Sequence, residues 1–399
     1  MKHRRRFLFI GVLLVLILLS GGIGVGIKDA SAAAGPYVVL GWNDLGMHCY
    51  NKDFRDMAVL PPYNTLWVQV VQRGNPPALV TSGITVSYSF PANTYSAGKT
   101  NFWRYAQSLF GVSLAPNVGL TGNGLAGQMK FVTDHFVATG IPLTEFNDNA
   151  PRTRKPFQLA NIVVTDTATG AVLGQQTVVA PVSSEMNCVK CHADRGTANP
   201  TIHTGRVATN ILRLHDRREG TQLMSQRPVL CASCHASNAL GTAGIAGVHN
   251  LSNAMHLKHA GKVPNTLSGC YNCHPGPTTR CLRDVMSTEE GLTCITCHGP
   301  MQKVARNANP WLNEPRCDSC HDQALNQPLY RFSTGHGGLY CEACHDSTHA
   351  IAPSRVARDG IKFFALQGSE GPLTECSVCH TIMQSNMQAA SMLSLHATK

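Results

Sequence analysis

Seven copies of one short motif, Cys-x-x-Cys-His, constrain the fold of this chain more than any other feature of its sequence. They fall between positions 188 and 380 of the 399 residues and use all but two of the 16 cysteines, Cys49 and Cys281. In chain order, motifs one to seven are Cys188/Cys191/His192, Cys231/Cys234/His235, Cys270/Cys273/His274, Cys294/Cys297/His298, Cys317/Cys320/His321, Cys341/Cys344/His345 and Cys376/Cys379/His380.

In each motif, the histidine that follows the second cysteine indicates what the motif binds. Zinc sites, thioredoxin-like pairs or disulfides would each account for one cysteine pair, but none of them requires that histidine. Histidine makes up only 18 of 399 residues, so its presence in all seven motifs is not a chance outcome. In the attachment signature of c-type haem, the two thiols form thioethers with the porphyrin and the adjacent imidazole is the proximal iron ligand. The sequence therefore predicts seven covalently bound c-type haems, each containing iron.

The motifs are closely spaced, with their first cysteines 43, 39, 24, 23, 24 and 35 residues apart. Residues 184–399 contain few aromatic side chains that could build a core. A compact domain of this length has a radius of gyration of roughly 17 Å, which is too small to isolate seven porphyrins. We expect a mainly irregular and α-helical domain whose core is filled by haems lying near van der Waals contact.

Each iron needs a second axial ligand to become a low-spin electron carrier. Ten histidines outside the motifs are available if His3 leaves with an export signal. A helix over residues 250–260 would place His256 and His259 on one face, where they could serve two neighbouring haems. The predicted distal ligands are His203, His215, His249, His256, His259, His336 and His349, together with His48 from the N-terminal region, and Met255, Met286 and Met383 are the alternatives.

The motif array and the surplus of histidines, together with the sequence from His336 to His345 and the nearby His349, resemble the multihaem c-type cytochromes of bacteria that respire metals or external acceptors. A β-domain ahead of a haem domain is similar to the outer-surface members of that family. The resemblance implies haems with two histidine ligands in a wire-like order, export from the cytoplasm, and electron transfer.

The first 32 residues have the composition of an export signal. Residues 2–6 read KHRRR, an apolar run extends from Phe7 to Leu19, and Ala30-Ser31-Ala32 is a small-residue cleavage pattern. This predicts a signal peptide over residues 1–32 and a protein located in the periplasm or at the cell surface. The uncharged stretch from Phe7 to Ile27 is also long enough to span a bilayer, so an uncleaved membrane anchor is the alternative.

Residues 33–183 show the alternation of a β-rich domain. Leu66, Val68 and Val70 alternate with Trp67 and Gln69, and similar patterns recur near residues 84–90 and 162–179. Half-buried antiparallel strands have this period of two. We predict an all-β, sandwich-like N-terminal domain with short helical segments near Asn101–Phe110 and Gln128–Ala138, followed by the seven-haem domain over residues 184–399.

Cys49 and Cys281 admit three interpretations. They could form a disulfide between the two domains, as an oxidising compartment permits, or they could be unrelated thiols. Alternatively, Asp44, His48 and Cys49 could form a ligand cluster in which His48 caps a haem and Asp44 positions the other ring nitrogen.

The positive charge of the chain does not indicate a nucleic-acid partner. The formal charge is +10, but residues 1–32 hold five of the 33 basic residues and one of the 23 acidic residues. Each haem would add two propionates, and the remaining excess of Lys and Arg matches these carboxylates.

These observations predict a cytochrome that moves electrons between a redox-protein donor and acceptor, such as other cytochromes or an outer-membrane conduit, without bond-making chemistry. A multihaem reductase of nitrite, hydroxylamine or a sulfur oxyanion is one alternative, and it would keep one iron open. A subunit of a cytochrome filament, with haem packing continued across copies of the chain, is another. A membrane contact is expected only if the N-terminal segment is retained.

Overall fold

The computed structural model describes residues 35–382, apart from residues 308, 310, 312 and 323. The predicted signal peptide over residues 1–32 and the side chain of Met383 lie outside the described residues. Contacts join the described residues into one compact unit, so the β-rich part and the motif-bearing part pack against each other. In the part of the chain that the structure describes, we find no helix with the length and apolar character needed to cross a bilayer.

The strands are concentrated before residue 184, where the sequence alternation predicts them. They are β1 (Tyr37–Asn43), β2 (His48–Cys49), β3 (Met57–Ala58), β4 (Thr65–Gln72), β5 (Ala78–Leu79), β6 (Ile84–Ser89), β7 (Ala126–Gln128), β8 (Lys130–Val132), β9 (His135–Thr139), β10 (Phe157–Asp166), β11 (Val172–Ser183) and β12 (Val229–Leu230).

Two five-stranded sheets share one core. The first has the order β1-β4-β9-β8 with β5 added to β4, and the second has the order β2-β11-β10-β6-β7. Val39 and Val68 of the first sheet are buried together with Ile162 and Val178 of the second. The short strands β3 and β12 form a separate parallel pair. The N-terminal part is therefore β-rich and sandwich-like, as the alternation predicted.

One of the two helical segments predicted in this part is present. Helix α1 (Phe102–Phe110) ends at Gly111, which adopts a left-handed φ of 72°. The prediction of a helix near Gln128–Ala138 is wrong, because β8 and β9 form a hairpin there with Val132 opposite His135. Phe136 and Ala138 are buried on alternate positions of β9, and pairing of β9 with β4 decides the conformation.

The motif-bearing part consists of short helices and irregular segments. The helix predicted over residues 250–260 is present as α4, and the Asn250 side chain caps it by accepting the Asn253 amide at 2.7 Å. The helices of this part are α2 (Val189–His192), α3 (Val207–Glu219), α4 (Leu251–His259), α5 (Leu267–Cys270), α6 (Val285–Thr288), α7 (Cys294–His298), α8 (Met301–Arg306), α9 (Cys341–His345) and α10 (Ile361–Gln367).

The outer face of the first sheet packs against motifs six and seven. Leu40 and Trp42 of β1 are buried in one cluster with Ala343 of motif six and Val378 of motif seven. Strand β1 is therefore covered on both faces. The composition changes at Ser183, where β11 ends, but packing continues across that point.

Candidate metal centres built from paired histidines

Each motif folds into a single helical turn that presents both cysteines and the histidine together. In motifs one, two, three, five and seven, the histidine amide donates to the carbonyl of the first cysteine at 2.8–3.1 Å. Motifs four and six form the helices α7 and α9. This turn brings two thiols and an imidazole to one place, as attachment of a porphyrin through two thioethers beside its proximal ligand requires.

Five motif histidines each face a second histidine at nearly the same distance. Two imidazoles that bind one metal through nitrogen–metal bonds of about 2 Å place their ring centroids roughly 6 Å apart, so these pairs fit two axial ligands of one iron. The ring-centroid distances are 6.2 Å for His192 and His259, 6.3 Å for His235 and His215, 6.1 Å for His274 and His256, 6.2 Å for His298 and His349, and 6.0 Å for His380 and His336.

Hydrogen bonds at the opposite ring nitrogen orient three of these rings. A backbone carbonyl can only accept, so Nδ1 is the donor and Nε2 keeps its lone pair for a metal. The donor–acceptor pairs are His256 Nδ1 with the Ser252 carbonyl at 2.8 Å, His259 Nδ1 with the Met255 carbonyl at 2.6 Å, and His235 Nδ1 with the His249 carbonyl at 2.8 Å.

Burial favours the neutral form of several of the paired histidines. Burial, reinforced by neighbouring histidines, lowers the pKa of His274 and that of His349 to about 4. Burial is also the main cause of the lowered pKa of His192, His256 and His298. The neutral imidazole is the form that binds a metal, so these rings are ready to act as ligands at pH 7.

Cysteines of different motifs lie close enough for the charge of one to act on the thiol of another. Burial is the main cause of the raised pKa of Cys273, Cys297, Cys341 and Cys344. A hydrogen bond between Cys270 and Cys294 is instead the main cause of the lowered pKa of Cys270 and the raised pKa of Cys294. The neighbours are Cys273 with Cys188 and Cys191, Cys270 with Cys294, Cys297 with Cys320, Cys341 with Cys317, and Cys344 with Cys379.

The second cysteine of motif two, Cys234, is half-buried, and its Sγ lies 3.8 Å from the Ser233 hydroxyl. Its carbonyl accepts the Ile245 amide at 2.8 Å, which fixes the backbone of the turn. Burial raises the pKa of Cys231, the first cysteine of the motif, to about 12, and the charge of Cys234 adds to this effect. The thioether at Cys234 stays a prediction.

The neighbouring cysteines connect motifs one, three, four, five, six and seven into a series, and helix α3 connects motif two to motif one. That helix carries His215, which faces His235 of motif two, and Asn210, whose side-chain amide donates to the His192 carbonyl of motif one at 3.0 Å. The spatial order of the motifs is therefore two, one, three, four, five, six and seven. Strand β12 precedes motif two and pairs with β3, and motif seven packs on the first sheet. Both ends of the series thus contact the β-rich part.

The structure places three predicted distal ligands outside the five pairs. His203 is exposed, with its Nε2 3.1 Å from the Pro200 carbonyl. His249 is exposed and contributes only its carbonyl, to His235. His48 is buried, and the predicted contact with Asp44 is present. The contact joins His48 Nε2 and Asp44 Oδ1, which lie 2.7 Å apart. The other five predicted distal histidines, His215, His256, His259, His336 and His349, all face a motif histidine.

Motifs five and six differ from the other five. His321 of motif five is exposed, and no second histidine ring faces it among the described residues. His345 of motif six ends helix α9, and the nearby Ser347 hydroxyl donates to the Asn43 carbonyl. Motif six therefore lies against the loop that leads to His48.

An aromatic cluster beside motif six is a feature that sequence reasoning missed. Trp67 stacks on His135 with their ring centroids 4.0 Å apart, and it contacts the ring of Tyr340 at 5.3 Å. Tyr340 immediately precedes Cys341 and also contacts Trp42 at 5.7 Å. The alternation of residues 66–70 in β4 indicates a strand, but it does not reveal that a motif covers one of its faces.

No protein-family model, curated protein or solved structure matches this chain. Within residues 35–382, the described side chains form no group of three or more His, Cys, Asp or Glu arranged to hold a metal ion by themselves. A histidine pair supplies only two ligands, and a porphyrin would supply four nitrogen ligands between them. The residues present therefore fit haem in composition and in spacing.

Proposed function

We propose that this chain is an exported c-type cytochrome that holds seven haems and transfers electrons between redox partners, as in anaerobic respiration or extracellular electron transfer. The observation that carries the proposal is the set of five motif histidines, each facing a second histidine at 6.0–6.3 Å. Seven Cys-x-x-Cys-His sequences would provide the covalent attachment.

Bound haem supplies an iron that cycles between its ferric and ferrous states. The protein's own residues then have three tasks. The cysteine pairs would hold the porphyrins, the paired histidines would bind the iron, and carbonyls such as that of Ser252 orient the ring of a ligand. An iron with two protein ligands has no position for a substrate, which favours electron transfer over bond-making chemistry.

The spatial order of the motifs supports transfer through a series of neighbouring sites. Neighbouring motifs approach one another closely enough for their cysteines to interact, and both ends of the series contact the β-rich part. We infer that the β-rich part serves as the platform on which donor and acceptor proteins dock. Other cytochromes or an outer-membrane conduit are the partners that this role requires.

Haem content tests the proposal directly. The full chain is produced in a bacterium that attaches c-type haem, and the intact protein is weighed by mass spectrometry after denaturation. We expect the denatured protein to have the mass of the polypeptide plus seven haems, because thioether bonds are covalent and survive denaturation. A colourless protein whose motif cysteines all react with a thiol reagent would refute the proposal.

A reductase with one open iron is the second candidate, and motif five is the observation that favours it. His321 is exposed and stands outside the histidine pairs of the described residues. Carbon monoxide added to the reduced protein distinguishes the two functions, because it binds ferrous haem only at an open axial position. Binding to one haem, together with turnover of nitrite or hydroxylamine, supports the reductase, and no binding supports the electron carrier.

A further inference from the structure

The two cysteines outside the motifs approach each other at the junction of the β-rich part and the motif-bearing part. Cys49 lies in β2, which pairs in parallel with the end of β11 and places Cys49 beside Ser183. Neighbouring strands lie about 4.8 Å apart. Cys49 is therefore held next to the last residue of the β-rich part.

Cys281 belongs to the loop between motifs three and four, and this loop is fastened to the same place. The hydroxyls of Ser183 and Thr279 are 2.8 Å apart and buried. The Glu185 carboxylate accepts the backbone amides of Thr278 at 3.0 Å and Thr279 at 2.8 Å. The loop that carries Cys281 is thus bound to the end of β11, against which Cys49 lies.

The pKa of Cys49 reflects both its burial and the nearby Cys281. Burial raises the pKa of Cys49 most, and the charge of Cys281 is the next contribution. Burial also raises the pKa of Cys281 to about 11.

We propose that Cys49 and Cys281 form a disulfide that ties β2 to the loop between motifs three and four. The structure has them as separate thiols. Oxidation removes one hydrogen from each thiol and forms the S–S bond, while two electrons and two protons pass to a thiol–disulfide oxidant of the exported compartment. The proposal depends on export, which is part of the proposed function, but it does not depend on haem.

The bond would fix the position of motif four relative to the β-rich part. Arg283, two residues beyond Cys281, is fully buried and donates from Nε and a terminal nitrogen to the Asp359 carboxylate at 2.6 and 3.0 Å. A terminal nitrogen of Arg283 also donates to the Cys281 carbonyl at 3.1 Å. The loop is thereby held on one side by an ion pair and on the other by Ser183, and a disulfide would make the second connection covalent.

Thiol labelling of the unaltered protein tests this proposal without any variant. The purified exported protein is denatured, treated with N-ethylmaleimide before and after reduction, and digested for mass spectrometry. We expect a linked Cys49–Cys281 peptide pair before reduction and labelling of both residues only afterwards. Labelling of both cysteines in unreduced protein would overturn the proposal. Labelling of the motif cysteines would instead refute haem attachment, so the two failures are distinguishable.

Serine variants provide a second test that does not rely on peptide detection. Cys49→Ser, Cys281→Ser and the double variant each remove the same bond if the disulfide exists. We therefore expect the same decrease in Tm, by several degrees, in all three proteins. A decrease in the double variant equal to the sum of two independent decreases would contradict the bond, because unconnected thiols contribute separately.

Discussion

His256 and His259 lie one turn apart on helix α4 and face histidines of two different motifs, His274 and His192, at ring-centroid distances of 6.1 and 6.2 Å. Side chains three positions apart share one face of a helix. A single helix therefore binds motif three to motif one. Under the proposed function, it supplies the second ligand to two neighbouring haems.

Removal of His259 should alter one haem and leave the other six unchanged. His259→Ala keeps the cysteines and His192 of motif one, so we expect seven attached haems, one of them converted from low-spin to high-spin and able to bind carbon monoxide when reduced. Electron paramagnetic resonance and the carbon monoxide difference spectrum measure this. His203→Ala is the matched control, because His203 is exposed and lies outside the pairs. An unchanged spectrum in His259→Ala would contradict the pairing.

A hydroxyl relay should set the reduction potential at motif two. His215 Nδ1 lies 2.9 Å from the Thr221 hydroxyl, which donates to the Asp216 carboxylate at 2.8 Å. Because its proton is directed to Asp216, this hydroxyl accepts from the ring and increases the basicity of His215. Thr221→Val should therefore raise the potential of one haem in a redox titration followed by absorbance. Thr221→Ser retains the hydroxyl and should restore the original potential. Equal titrations of all three proteins would refute the relay.

Glu342 should make the protein less stable as the pH rises. This residue of motif six is fully buried, and burial, followed by the charges of Asp44 and Asp346, raises its pKa well above the usual range. The folded state then keeps a proton that the unfolded chain loses above a pKa of about 4.3, so stability falls with increasing pH.

Replacement of this carboxyl by a neutral amide should remove that loss. We expect Glu342→Gln to have a higher Tm than the unaltered protein at pH 8 and nearly the same Tm at pH 4. The exposed Glu370→Gln is the control and should show no such dependence. A Tm difference of the same size at both pH values would show that Glu342 is not protonated in the folded protein.

The junction between the first sheet and motifs six and seven should contribute to the stability of the whole unit. Trp42 is 1% exposed and packs with Ala343 and Val378. Trp42→Ala should lower the free energy of unfolding by about 3–5 kcal/mol, and visible absorption and far-ultraviolet circular dichroism should report one transition. Val172→Ala, at a position that is 64% exposed, should leave stability nearly unchanged. Two separate transitions would contradict a single cooperative unit.

The local features of the site could be predicted from the sequence, whereas its long-range pairings could not. The motif turns and helix α4 depend on residues close together in the chain, and the spacing of His256 and His259 follows from one helix. The pairing of His336 with His380, across the sixth motif, depends on tertiary packing. His249 is predicted as a ligand because it lies within the predicted haem domain, but in the structure its backbone carbonyl is the group that contacts a motif histidine, His235.

The β-rich part shows the same division. The sequence patterns predicted strands at β4, β6, β10 and β11, and burial alternates with a period of two along β6 and β10. The prediction of a helix over residues 128–138 failed, because β8 and β9 form a hairpin there and Thr133 adopts a left-handed φ of 56° in the turn between them. The burial of β1 on both faces could not be predicted, because its second partner is motif six, about 300 residues away.

The electron paramagnetic resonance spectrum of the purified ferric protein tests the central claim most directly, since it reports the axial ligands of each iron. If the five histidine pairs are axial ligand pairs, low-spin signals will account for at least five haems, and carbon monoxide will leave those haems unchanged after reduction. High-spin signals from most of the haems, or a protein without haem signals, would contradict the account.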